Sequence, residues 1–246
     1  MHFFDCNAAF GPYRTRVYRY ALTAQQLIDE MDFCGIDRTM AYHTCQRYYD
    51  PPDGNRLLLS EISGNDRLVP TWSILPTQSG EQQATPDFLV MMRRHNIRML
   101  RMYPQNHCYF MDEETWADQM QEYEARRIPI YIHARLGDIR DLLRSFPNLV
   151  VITGTQGANP LDRYAWPMID RYPNLHFDTS AYLVDGILES FVKRFGTGRL
   201  LFGTGYPDHA VGGSILMLRQ ADLPEPDKQA IAAENLQRLL QQAQLS

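Results

Sequence analysis

The feature that most constrains the fold of this chain is a regular alternation of short apolar runs with segments of helical periodicity. Strands that alternate with helices pair in parallel, and eight such units fit a closed barrel better than an open, doubly wound sheet. No G-x-G-x-x-G follows any apolar run, which further weakens a dinucleotide-binding sheet. The sequence therefore predicts the α/β class and a single (β/α)8 TIM barrel, with residues 2–6 as first strand and 199–203 as last. The eight runs span residues 2–6, 39–43, 67–75, 97–103, 128–133, 148–155, 175–180 and 199–205.

The segments between these runs carry the spacing and the end signals of helices. The stretch Thr23-Ala-Gln-Gln forms a capping box, and Gly35 is placed to end the helix that follows it. Between these ends, Leu27, Ile28 and Met31 recur with the period of an α-helix. Further helices are predicted near residues 57–62, 86–95, 113–126, 138–145, 162–171 and 185–195, and beyond residue 226.

The length and composition indicate a globular protein with one large core. The chain has 246 residues, of which 44% are hydrophobic and 22% are charged. Single α/β barrels commonly have about this length, so we expect residues 1–246 to form one barrel domain. The 24 basic and 29 acidic residues give a formal net charge of -5, which argues against a nucleic-acid or anionic-membrane surface as the main partner.

The four cysteines lie far apart and include no C-x-x-C pair, so we interpret them as reduced thiols of a cytoplasmic protein. The polar residue Asp5 interrupts the first residues before a secretory signal could develop. No apolar run approaches the roughly 18 residues that span a bilayer. The sequence predicts a soluble protein with no membrane partner, and it leaves a homo-oligomer open.

Six segments, in order, resemble the amidohydrolase-related (amidohydrolase 2) branch of the amidohydrolase superfamily. Each motif alone is weak, but their common order over essentially the full chain makes the resemblance specific. It implies a TIM-barrel hydrolase whose metal site lies at the barrel mouth. The segments are FFDCNAAFG (3–11), LTAQQLIDEMDFCGIDRTMAYH (22–43), IPIYIHA (128–134), VVITGTQG (150–157), LLFGTGYP (200–207) and AAENLQRLL (232–240).

The metal-binding positions that the resemblance implies are mostly lost. The family's first strand ends in D-x-H-x-H-x-G, and its two histidines fall on Asn7 and Ala9 here. The fifth-strand histidine is retained as His133, whereas the sixth-strand histidine falls on Thr155 and the eighth-strand aspartate on Gly205. An amide is a feeble ligand and a methyl group is none. We therefore predict a degenerate site with no metal and no cofactor.

The family's standard mechanism is unavailable to such a site. In the family the metal lowers the pKa of its bound water from about 15.7 toward 7 and polarises the substrate carbonyl. Without the eighth-strand aspartate, the proton of the nucleophilic water also lacks an acceptor at that place.

Other polar residues at the predicted strand ends are candidates, because the mouth of a parallel barrel lies at the carboxyl ends of its strands. His133 is interpreted as a general base or acid, or as a buried histidine that the fold has retained. Arg101 is interpreted as a clamp for a substrate carboxylate, or as the counter-charge of Asp5 or Asp178 inside the barrel.

The remaining candidates also have two interpretations each. His43 either faces the mouth or bonds to the backbone of a loop. Asp178 either orients His133 or caps the next loop, and His209, with Asp208, either replaces the missing aspartate or lies on the surface. Asn7, Thr155 and Thr204 are predicted to donate hydrogen bonds to a substrate.

Two functions stay open. The first is a metal-independent, lactonase-like hydrolase that acts on a small carboxylated substrate. The second is a non-catalytic member that binds a small molecule or serves as a structural partner. A third, weaker hypothesis is a hydrolase with a relocated metal site built from His43, His133, Asp178 or His209.

Overall fold

The computed structural model describes residues 1–14, 19–154, 161–181 and 184–245. Its strands are all parallel and form two sheets, one with the order β1-β2-β3 and one with the order β4 to β9. The strands are β1 (Phe4–Phe10), β2 (Arg38–His43), β3 (Leu68–Pro70), β4 (Trp72–Ser73), β5 (Leu100–Met102), β6 (Ile130–Ile132), β7 (Val151–Thr153), β8 (Leu175–Asp178) and β9 (Leu200–Leu201).

The two sheets are parts of one closed barrel. β3 and β4 are a single barrel strand interrupted at Thr71, whose amide donates to the Ala41 carbonyl at 3.1 Å. At the other junction the Cys6 amide donates to the carbonyl of Phe202, the residue after β9, at 2.9 Å, and the Ala9 amide donates to the Tyr206 carbonyl at 2.9 Å, which joins the end of the barrel to β1. The predicted (β/α)8 barrel is confirmed.

Helices follow the strands around the outside of this barrel. They are α1 (Ala24–Cys34), α2 (Cys45–Tyr48), α3 (Pro51–Glu61), α4 (Thr85–Arg94), α5 (Pro104–His107), α6 (Glu113–Ala125), α7 (Leu136–Ser145), α8 (Leu161–Arg171), α9 (Ile187–Phe195), α10 (Val211–Gln220), α11 (Glu225–Gln229) and α12 (Asn235–Gln242), with a π-helical turn at Ala230–Glu234. Among the described residues, no helix is both long and apolar enough to cross a membrane.

The ends of α1 show why its sequence folds as a helix. The Thr23 hydroxyl accepts from the Gln26 amide at 3.3 Å, and the Gln26 side chain accepts from the Leu22 amide at 2.7 Å. Two amides that would otherwise lack partners at the helix start are thus bonded. Gly35 ends the helix at φ 73°, a left-handed conformation that suits glycine.

Some boundaries differ from the prediction. β1 extends to Phe10 because it stays paired with β2 across an irregularity between Asp5 and Ala8. α10 was not predicted, since Gly212 and Gly213 in its first turn weaken the helical signal. The short helices α2 and α5 were also missed, because four residues are too few to show a period.

One end of the barrel is filled by apolar side chains. Leu236, Leu239 and Leu240 of α12 pack with interior side chains of the strands, including Phe4 and Met99, in one cluster. The opposite end, where the strands terminate at their carboxyl ends, carries the polar residues. This end of the barrel positions the candidate site.

Candidate functional site at the barrel mouth

A cavity of about 300 Å³ lies at the carboxyl ends of the strands. Its polar wall combines aromatic hydroxyls, one guanidinium, one carboxylate and two imidazoles, which is the composition of a small-ligand site rather than of an apolar core. The side chains that line it include Asn7, Tyr42, Arg47, Tyr103, Tyr131 and His133, and from later in the chain Ser180, Asp208 and His209.

Arg47 is the positive charge on the cavity wall. It lies in α2, the short helix that directly follows β2, and its side chain is 12% exposed. Nη1 contacts the Asp208 carboxylate at 2.7 Å, and Nη2 contacts Nε2 of His133 at 3.0 Å. The guanidinium also lies 4.9 Å from the centre of the Tyr48 ring. Arg47 therefore bridges two elements that are distant in sequence.

His133 is neutral in this arrangement. An arginine can only donate, so Nε2 of His133 accepts from Arg47 and the ring proton is on Nδ1. Burial, followed by the charges of Arg47 and Arg101, lowers the pKa of His133 to about 3. At neutral pH the imidazole is thus a hydrogen-bond acceptor that holds the arginine in place.

Asp208 and His209 follow β9 and both line the cavity. Burial raises the pKa of Asp208, and the neighbouring His209 opposes that shift. The His209 amide donates to the Gly205 carbonyl at 3.1 Å, so residues 205–209 form a turn. Gly205 adopts φ +63°, and a Cβ there would lie 2.6 Å from Cδ2 of His209. The glycine thus lets the imidazole sit against the backbone.

Asn7 lies at the cavity with both ends of its amide occupied. Its Oδ1 accepts from Nη1 of Arg101 at 3.0 Å, and its Nδ2 donates to the Tyr131 hydroxyl at 2.8 Å. Tyr131 in turn donates to Asp178 at 2.6 Å. This chain of bonds fixes the orientation of the amide.

Arg101 lies beneath the cavity, inside the barrel, and is not part of the cavity wall. It is fully buried, and its Nε donates to the Thr71 hydroxyl at 2.7 Å. Nη2 donates to the carbonyls of Cys6 and Met40 at 3.0 and 3.1 Å, and the guanidinium stacks 4.3 Å from the Tyr42 ring centre. As placed, its donors are taken up by neutral protein oxygens, which does not fit the predicted carboxylate clamp.

Asp178 and Thr204 also lie beneath the cavity. Asp178 accepts from the amide and the hydroxyl of Ser180 at 3.0 and 2.6 Å, so it caps the following turn rather than orienting His133. Thr204 donates to Oδ2 of Asp5 at 2.6 Å. Burial raises the pKa of Asp5 to about 6, against the opposing hydrogen bond from Thr204.

His43 lies away from the cavity. Its Nδ1 accepts from the Cys45 amide at 3.1 Å, and its Nε2 lies 3.6 Å from the Glu61 carboxylate. Burial lowers the pKa of His43. The geometry matches the backbone-bonded interpretation, while Thr155 lies outside the described residues.

Sequence reasoning missed Arg47, Tyr42 and Tyr131 as cavity residues. Tyr42 lies one residue before His43 and Tyr131 two residues before His133, both within apolar runs that resemble core. Arg47 lies four residues beyond the end of β2, in a helix too short to predict. Its one signal is a cation placed in an aromatic stretch just after a strand end.

The side chains present do not fit the metal that the family's mechanism uses. Both amide atoms of Asn7 are engaged, and Nε2 of His133 faces a guanidinium, which would repel a cation. Ala9 and Gly205 offer no donor atom. Among the described residues no group of three or more histidine, cysteine or acidic side chains could hold an ion. The relocated sets that include His43 are likewise not brought together.

Comparison with known sequences identifies the family. A sequence model of the amidohydrolase family matches residues 50–241, which is more than three quarters of the chain. The chain belongs to the amidohydrolase family. No curated protein matches the sequence of this chain.

Solved structures share the whole fold of this chain at low sequence identity. 2,6-Dihydroxybenzoate decarboxylase from Rhizobium is 16% identical, covers 98% of each chain and has a TM-score of 0.75. A dihydroxybenzoic acid decarboxylase from Polaromonas sp. JS666, with bound manganese and 2-nitroresorcinol, is 14% identical, with 98% and 97% covered and a TM-score of 0.76. A probable 2-pyrone-4,6-dicarboxylic acid hydrolase from Acinetobacter baumannii, with citric acid bound, is 15% identical, with 98% and 100% covered and a TM-score of 0.73.

Proposed function

We propose that this protein is a metal-independent, lactonase-like hydrolase of a small carboxylated molecule bound in the mouth cavity. The observation that carries the proposal is the placement of Arg47 and Asp208 on one wall, 2.7 Å apart, beside a neutral His133. Arg47 can thus bind the substrate, and Asp208 can accept a proton from the attacking water, without a metal.

Arg47 supports the choice of a carboxylated substrate. Arg47 lines the cavity with a side chain that is 12% exposed, and its two Nη atoms contact Asp208 and His133, which line the same cavity. A guanidinium binds carboxylates through paired donors, so a substrate carboxylate can displace or share Asp208. Carboxylated ligands also occur in the names of the similar structures, among them 2,6-dihydroxybenzoate and citric acid.

Asp208 supports the hydrolytic step. It restores a carboxylate three residues beyond Gly205, where the family's aspartate is missing. The water oxygen attacks the ester or lactone carbonyl carbon, and Asp208 accepts the water proton. The acyl C–O bond then breaks, and the leaving oxygen takes that proton back from Asp208. Burial raises the pKa of Asp208, and this makes it a better proton acceptor once the substrate carboxylate has taken Arg47 from it.

In this proposal His133 is not the general base that the sequence predicts. With a pKa of about 3, its imidazole is a weak base at neutral pH. In this proposal His133 positions Arg47 by accepting its hydrogen bond. The metal-free state and a cytoplasmic location stay predictions.

The second candidate is a binding protein without turnover. It is favoured by the direct Arg47–Asp208 contact, which occupies the proposed base in the absence of substrate. Binding alone needs the cation and the cavity but not a free carboxylate.

A titration and a turnover assay on three variants separate these functions. The probe is 2-pyrone-4,6-dicarboxylate in excess EDTA. Arg47→Met should lose binding at least about tenfold, because a charge-assisted pair is removed. Asp208→Asn should retain binding and lose turnover by about 10²–10⁴-fold. Arg56→Met, whose guanidinium pairs with Asp53 on the exposed face of α3, is the matched control.

Each outcome has a distinct meaning. Turnover that resists EDTA and depends on Asp208 supports the hydrolase. Binding that depends on Arg47, with no turnover in any protein, supports the binder. Binding that Arg47→Met leaves unchanged contradicts both, and turnover that EDTA abolishes contradicts the metal-independent mechanism.

A further inference from the structure

The short helix α2, which carries Arg47, is held against the barrel by the side chain of Gln46. Gln46 is fully buried, and its Oε1 accepts from the His43 amide at the end of β2 at 2.9 Å. Its Nε2 donates to Oδ1 of Asn55 in α3 at 2.5 Å and to the Thr71 carbonyl at 2.8 Å. One side chain thus ties α2 to a strand end, to a neighbouring helix and to the break between β3 and β4.

Gly54 of α3 lies directly against the backbone of Gln46. A Cβ on Gly54 would lie 2.7 Å from Cα of Gln46 and nearer still to its backbone nitrogen. Carbon atoms in contact lie about 3.5–4.0 Å apart, so a side chain at Gly54 would force α2 and α3 apart. A four-residue helix such as α2 is not stable by itself, so these contacts fix its position.

The position of α2 decides what the Arg47 guanidinium can reach. Nη1 contacts Asp208 at 2.7 Å and Nη2 contacts His133 at 3.0 Å. Both partners follow strands on other parts of the barrel, so they do not move with α2. A hydrogen bond is lost beyond about 3.5 Å, so a shift of α2 by roughly 1 Å is enough to separate the guanidinium from them.

We propose that Gly54 and Gln46 are positioning residues for Arg47 and act on ligand binding through α2. Neither of them lines the mouth cavity. The inference rests on the proposed function, because it takes Arg47 as the group that binds a carboxylate. A purely structural contact would instead stabilise the fold and leave the affinity for a carboxylate unchanged.

A double-mutant cycle tests whether Gly54 acts through Arg47. The probe is isophthalate, a ring dicarboxylate without an ester bond, so that affinity is measured without turnover. Gly54→Ala should weaken its binding about three- to tenfold, and Arg47→Met at least about tenfold, because a charge-assisted contact is misplaced or removed. Gly54→Ala added to Arg47→Met should weaken binding no further, since effects transmitted through one group are not additive.

A matched glycine and a second variant complete the design. Gly137→Ala is the control, because Gly137 also lies in a helix, α7, and a Cβ there would meet nothing within 4 Å. It should leave the affinity for isophthalate unchanged. Gln46→Met removes the three hydrogen bonds without adding a Cβ to α3, and it should repeat the loss of affinity and its non-additivity with Arg47→Met. Urea unfolding of every variant shows that each affinity belongs to folded protein.

The outcomes separate this inference from the proposed function. Unchanged affinity in Gly54→Ala and Gln46→Met, beside a loss in Arg47→Met, would overturn the positioning role alone. A loss that adds fully to that of Arg47→Met would also overturn it, because the effect would then bypass Arg47. Isophthalate binding that Arg47→Met leaves unchanged, or no binding to the wild type, would contradict the proposed function and this inference together.

Discussion

The mouth cavity and the layer directly beneath it contain the same residue types in opposite states. Beneath the cavity, Arg101 is fully buried and bonded to neutral oxygens, and Asp178 accepts from Tyr131 and Ser180. At the wall, Arg47 is 12% exposed and pairs directly with Asp208. Arg101 is bonded only to parts of the barrel that do not line the cavity, apart from Asn7, whereas both partners of Arg47 line the cavity. In the proposed function, this position rather than residue type separates the structural arginine from the ligand-binding one.

The largest expected effect is on the lower layer. Arg101→Met should reduce the free energy of unfolding by about 3–5 kcal/mol, because buried oxygens of Asn7, Thr71 and Cys6 lose their donor. Arg47→Met, as the matched change at the wall, should cost less, about 1–2 kcal/mol, because its partners Asp208 and His133 line the cavity and can be solvated there. Urea unfolding of both variants measures the difference. Equal losses of unfolding free energy in the two variants would contradict the difference between the two layers.

The next effect concerns the pH dependence of stability. The folded pKa of Asp5, about 6, exceeds its ordinary value of 3.8, so the folded state binds the proton more tightly. The contribution of the Asp5 carboxyl to the free energy of unfolding is therefore fully present below about pH 4 and is lost as the pH rises through 6. Asp5→Asn, a near-isostere, should gain about 2–3 kcal/mol relative to the wild type between pH 4 and pH 7.

Unfolding free energies of the two proteins across that pH range provide the measurement. The difference between them isolates Asp5, since the other titrating groups are common to both. Parallel pH profiles would show that the Asp5 carboxyl is solvated or better bonded than the structure indicates.

A smaller effect distinguishes two tyrosines of the cavity. The Tyr131 hydroxyl joins Asn7 to Asp178, whereas the Tyr103 hydroxyl makes no hydrogen bond with the described residues. Tyr131→Phe should cost about 1–3 kcal/mol in stability, because two buried polar partners lose a bond. Tyr103→Phe should change stability by less than about 0.5 kcal/mol. Thermal unfolding of the two variants tests the pair, and a larger loss for Tyr103→Phe would reverse the assignment.

The fold was readable from the sequence, and the direction of individual side chains was not. Alternating apolar runs, with caps such as Thr23 and Gly35, are local signals that persist in the structure. The strand-end rule found Asn7, His133, Asp208 and His209, which all line the cavity.

Strand ends do not predict cavity residues correctly where the exact position along the strand decides which way a side chain lies. Arg101 precedes the end of β5 by one residue, and that difference places its guanidinium inside the barrel instead of at the mouth. Arg47 lies beyond a strand end, and only the fold of α2 returns it to the cavity. Both cases depend on three-dimensional contacts that periodicity does not contain.

The conformation at Gly205 determines what a carboxylate at that position would require. An aspartate there would need a positive φ, and its Cβ would lie 2.6 Å from the His209 ring and 3.0 Å from Cβ of Ser180. Introducing the aspartate therefore requires the His209 side chain to move as well. Asp208 is not among the residues with positive φ, so it carries a carboxylate at this end of the barrel without that strain. Engineering a carboxylate onto residue 205 would thus call for a second change at His209.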